Sequence, residues 1–144
     1  MIAALFGLYA AIVRIFEIRQ SNALALVSIP FIGFYLFHIA RMYLIKFSYG
    51  YNMKATMALV GVHSVLWIGW ALLNLKVRPY GKWIILGNFL LFLFVSLEVF
   101  DSPPWFGLFD NHAIWHFSMN IIFYFWNRFY IADCLHYRPV PKSD

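Results

Sequence analysis

His112 and His116 stand four residues apart in the run Asp110-Asn-His112-Ala-Ile-Trp-His116. On a helix this spacing sets two imidazoles on one face, about one turn apart, which is a usual geometry for two donors to one metal ion. The segment before them carries Glu98, Asp101 and Asp110 and no basic residue, so its field attracts cations. Pro103 and Pro104 stop any helix there, and Asp110 is placed to cap the helix that follows. Near a helix N-terminus the macrodipole disfavours imidazolium and keeps both rings available as neutral ligands. Asp101 and Asp110 are the candidate catalytic carboxylates of this loop. The sequence has no His-Glu-x-x-His, so the base of that class of metalloprotease is absent.

A catalytic zinc takes three protein ligands and a water. His38 and Asp101 are candidates for the third. His63, next to Ser64, reads as an interhelical hydrogen-bonding residue, and His136, beside Arg138, as a solvated one. A different chemistry would use some of the same side chains: His38, His63 and His116, at comparable depths, could supply axial ligands to a b-type haem. The single cysteine, Cys134, excludes an intramolecular disulfide and a Cys-based zinc cluster.

The elements that hold these residues are set by composition. Hydrophobic residues make up 63% of the chain and charged ones 12%, against about 25% charged in ordinary soluble domains. A water-soluble domain of 144 residues has no interior large enough to hide that much apolar surface, whereas a bilayer accepts it. Mean hydropathy is +0.72, and aromatics reach 22%, with Trp67, Trp70, Trp83 and Trp126 suited to headgroup anchoring. The net charge of +5 comes from basic residues that sit singly between apolar runs. A nucleic-acid surface needs a contiguous basic face, so no nucleic-acid partner is expected.

The reading is therefore all-α: a polytopic transmembrane bundle of about five helices over residues 1–136. The spans fall at about 1–16, 23–45, 55–73, 83–99 and 114–131, with an unstructured tail at 137–144. The first run has no basic residue ahead of it and meets its first charge at Arg14, so it reads as a retained, short span rather than a cleaved leader. Pro30 is expected to bend the second span. Arg14 and Arg19, then Lys76, Arg78 and Lys82, then Arg138 and Lys142 mark the cytosolic side. The N-terminus and the acidic loop are accordingly lumenal, and the C-terminus cytosolic. Arg41 and Lys46 would snorkel towards the lumenal interface, and the third-ligand candidates His38 and Asp101 lie on that lumenal side.

The residues Glu98-x-x-Asp101-x-Pro-Pro, then Asp110-x-His112-Ala-Ile-Trp-His116, resemble the last-span signature of the post-GPI attachment to proteins factor 3 family. So do His38 with Phe47-Ser-Tyr-Gly-Tyr-Asn52 and the stretch Trp67 to Asn74, and the resemblance runs from about Ala23 to Cys134. That family is similar to seven-span membrane hydrolases that include alkaline ceramidases and adiponectin receptors. The resemblance implies a zinc ion with His112 and His116 as two of its three histidine ligands. It also implies phospholipase A-type cleavage of an acyl ester on glycosylphosphatidylinositol (GPI)-anchored proteins, in a Golgi or endoplasmic reticulum membrane. The family's third zinc histidine and partner Asp lie upstream of the part matched here, so the resemblance implies a truncated family member, with His38 or Asp101 as the substitute ligand. A non-catalytic membrane subunit of the same family is the other reading. Oligomeric state is left open.

Overall fold

Every apolar run of the sequence forms a helix. The computed structural model describes residues 1–99, 104 and 110–136, and these are helical with no strand among them. The five α-helices are α1 (Ile2–Ile15), α2 (Ser21–Ala40), α3 (Tyr49–Asn74), α4 (Gly81–Val99) and α5 (Asn111–His136), and a π-helical turn, Arg41–Ile45, extends α2. Asp101, most of the acidic loop and the tail 137–144 lie outside the described residues, as do the side chains of Glu98 and His112.

Two of these helical stretches, Ser21–Ile45 and Tyr49–Asn74, are long and apolar enough to cross a membrane. At 1.5 Å per residue each runs to about 38 Å, against a hydrocarbon core of about 30 Å. Ile2–Ile15 and Gly81–Ser96 are apolar but shorter. α2 continues through Pro30 without a break, and its departure from α geometry comes later, at the π turn. α1 ends at Phe16 although no glycine follows. The Ile18 N–H donates to the Val13 carbonyl at 2.9 Å and the Glu17 N–H to the Arg14 carbonyl at 3.3 Å, with Glu17 at φ 50°. This is a Schellman ending with a carboxylate residue in the left-handed position that glycine usually fills. The Glu17 side chain lies 3.9 Å from Arg14.

The chain divides into two compact units, Met1–Trp67 and Ile68–Asp144. In the first, α1 and α2 border an apolar groove of about 280 Å³ whose lining includes Leu5, Phe6, Tyr9, Ser28, Phe31 and Ile32. The Ser28 hydroxyl donates to the Leu24 carbonyl at 2.8 Å and lies 3.1 Å from the Tyr9 hydroxyl of α1. In the second unit α4 and α5 pack along their length. Ile84, Asn88 and Leu91 of α4 and Ser118, Ile122, Phe129 and Asp133 of α5 are buried, at the three- and four-residue spacings of helix faces. Gly87 permits the approach: a Cβ there would fall 2.7 Å from Trp126 Nε1. Trp67 and Trp70 are buried, not lipid-facing. Trp70 meets Phe129 edge-on at 5.7 Å and carries the Arg78 guanidinium at 5.3 Å.

Candidate functional site

Asp110 starts α5 as the sequence requires. Its Oδ1 accepts the Ala113 N–H at 2.7 Å and its carbonyl accepts the Ile114 N–H at 3.1 Å. The cap satisfies one of the unpaired donors of the first turn and puts a negative charge at the positive end of the helix. His112 is in that first turn and His116 one turn further, both within the helix, so the backbone delivers the shared face expected from their spacing. At 100° per residue, positions 112 and 116 lie on a flank about 100–140° round from the stripe marked by Asn111 and Phe129. Asn111, Ser118, Ile122, Phe129 and Asp133 on that stripe are buried, and His116 is exposed. The histidine positions therefore belong to a surface of α5 away from its seam with α4.

His38 belongs to the first unit, whereas positions 112 and 116 belong to the second. The His38 side chain is only 5% exposed. Its ring stacks on Tyr51 of α3 with centroids 5.3 Å apart and 20° between planes, and its Nδ1 is buried without a hydrogen-bond partner. Arg41, one turn later in the chain, sets its guanidinium 4.3 Å from the centroid of the same Tyr51 ring, so it packs on a tyrosine as well as reaching outward. His63 is buried, and its Nε2 accepts a hydrogen bond from the Trp67 indole at 3.1 Å, one turn along the same helix. It faces Gly7 of α1, where a Cβ, if present, would be 3.8 Å from its ring. His136 ends α5 and lies 6.0 Å from the Tyr80 ring. Among the described residues no group of three or more His, Cys, Asp and Glu is gathered as a metal cage; Asp101 and the His112 side chain are outside that set.

One ionisable residue escaped the sequence reading. Asp133, near the end of α5, is 4% exposed and accepts a hydrogen bond from the Tyr80 hydroxyl at 2.9 Å. The signal was present: a carboxylate within an apolar helical run is costly unless it is paired. It stands at the opposite end of α5 from His112 and His116.

Comparison with known proteins places these residues in a family. The family model described as "Per1-like family" matches residues 1–134. "GPI-specific phospholipase A2-like PGAP3" of Danio rerio is 31% identical over 134 residues, covering 92% of this chain and 42% of the relative. "Protein PER1 homolog" of Schizosaccharomyces pombe is 31% identical over 135 residues, covering 90% of this chain and 41% of the relative. The human protein of the same name as the Danio one is 40% identical over 81 residues, 56% of this chain and 25% of its own. This chain thus spans less than half the length of these curated relatives. No solved structure matches. With a match over nearly its whole length, the chain belongs to the Per1-like family.

Proposed function

We propose that this chain takes part in fatty-acid remodelling of GPI anchors, as a multi-pass protein of a Golgi or endoplasmic reticulum membrane. The reaction would be phospholipase A-type hydrolysis of an acyl ester on GPI-anchored proteins. The observation that carries the reading is the family match over residues 1–134, within a family whose relatives bear the names given above.

His112 and His116 are donors of the right chemistry and spacing for two of the three protein ligands of a catalytic zinc. His38 or Asp101 would supply the third. Bound there, zinc would lower the pKa of water and polarise an ester carbonyl. The chain's own part is to set the two histidine positions one turn apart at the start of α5, and to keep the Asp110 carboxylate fixed by its cap. The acidic loop adds a field that draws a cation to that end of the helix. By loop charge, this end faces the lumen.

Zinc measured on the purified protein, with and without His112→Ala, tests the ligand assignment. About one equivalent in the wild type and a loss of tenfold or more in the variant is the expected result, and a zinc-free wild type sinks it. A second reading is a non-catalytic membrane subunit of the same family. Expression in cells that lack the relative separates the two: restored anchor remodelling supports hydrolysis, and association without restoration supports the subunit.

A further inference from the structure

The link between α2 and α3 collects cations, with no carboxylate near them in the chain. Between Glu17 and Glu98 the sequence has no carboxylate at all, yet Arg41, Lys46 and Lys54 fall at this one link. His38 and Arg41 are three residues apart, and so are Tyr51 and Lys54, so each pair shares a helical face. The Tyr51 ring joins the two faces, with His38 stacked at 5.3 Å and the Arg41 guanidinium at 4.3 Å. Lys46 and Lys54 are exposed. At the bottom, His38 Nδ1 is buried and has no partner, which costs free energy unless an outside group supplies one. The guanidinium, the ammonium groups and an imidazole N–H all take the same kind of partner, an anionic oxygen.

The flanking residues indicate where that oxygen comes from. Tyr43, Leu44, Ile45 and Phe47 are 89%, 78%, 72% and 73% exposed, so large apolar side chains flank Arg41 and Lys46 along the chain. The π turn presents them; such turns recur at functional sites because they re-aim side chains within a helix. Both helices joined here are long enough to cross the hydrocarbon, which brings the link to headgroup depth. Cations flanked by apolar groups at that depth match a phosphate carried by acyl chains, not a phosphate free in water.

The geometry points to a binding site for the phosphodiester of a net-anionic phospholipid, formed by Arg41 beside the His38–Tyr51 stack together with the exposed Lys46 and Lys54 of the same link. It shares His38 with the zinc reading, and it is tested apart from ester hydrolysis because binding is read without turnover. Native mass spectrometry of the full chain in neutral detergent tests it, with phosphatidylglycerol, phosphatidylcholine or diacylglycerol added. Phosphatidylglycerol is expected to be retained about tenfold more strongly than diacylglycerol, with phosphatidylcholine between them. Arg41→Gln with Lys46→Gln removes most of that preference, whereas Lys76→Gln, outside this link, keeps it. Should the Arg41 variant lose its helical circular dichroism, Lys46→Gln with Lys54→Gln carries the test. Both lysines are exposed, and the expected loss is about threefold. Equal retention of diacylglycerol, or an unchanged preference in the lysine pair, overturns the site. Displacement of the lipid by inorganic phosphate at equal concentration overturns its assignment to a lipid.

Discussion

In residues 68–136 two helices meet where one of them has no side chain; in residues 1–67 the helices touch through side-chain ends. Gly87 of α4 leaves the room that Trp126 of α5 fills, and Ile84, Asn88, Ile122 and Phe129 around it are fully buried. Close approach over a small residue is how membrane helices associate, because lipid tails offer no hydrophobic penalty to drive them together. In the first unit, Gly33 and Gly61 have nothing within 4 Å of where a Cβ would stand. Contact there runs through Tyr9 with Ser28 and Tyr51 with His38 and Arg41. One region is held by shape and the other by a few polar or aromatic tips. Buried polar atoms without a hydrogen-bond partner occur in both regions, His38 Nδ1 and Ser64 Oγ in the first unit and Asn88 Oδ1 in the second.

This contrast can be broken most directly at its tightest point. Gly87→Leu forces Trp126 and its neighbours apart, and detergent-titration unfolding is expected to show about 3 kcal/mol of destabilisation; a change under 1 kcal/mol would mean the seam is not close-packed. Tyr80→Phe leaves the buried Asp133 carboxylate short of a donor, at a cost of about 2 kcal/mol by the same measurement, and Asp133→Asn should shrink that cost. Ser28→Ala removes the hydroxyl link between α1 and α2 and is expected to cost about 0.6 kcal/mol. The smallest effect has the opposite sign. Gly61→Ala meets no neighbour and improves helix propensity, so stability should rise by up to about 0.5 kcal/mol. If Gly61→Ala destabilised as much as Gly87→Leu, the two regions would not differ as described.

The relation between pattern and structure differs from residue to residue. Asp110 was legible as a cap because the prolines and the polar residue before an apolar run say so locally, and its Oδ1 bond follows. The end of α1 was not, because Glu17 stands where glycine would have announced a Schellman turn. Trp67 and Trp70 read as interfacial anchors by type, yet they are buried; a tryptophan's preference for the headgroup region is statistical and yields to packing against particular neighbours. His63 read as an interhelical hydrogen-bonding residue, whereas the bond it accepts from Trp67 lies within α3, at a four-residue spacing visible in the chain. Asp133 was passed over because its partner Tyr80 is 53 residues away.

Hydropathy, helix-length apolar runs and the four-residue interval between His112 and His116 are properties of neighbouring residues. They were enough for an all-helical chain and for two imidazole positions on one face of α5, while the family followed from the resemblance of longer motifs. The depth of Asp133, the seam under Gly87 and the ring shared by His38 and Arg41 arise between residues remote in sequence. Side-chain packing in three dimensions sets them, because burial and contact belong to pairs of surfaces and not to either segment alone.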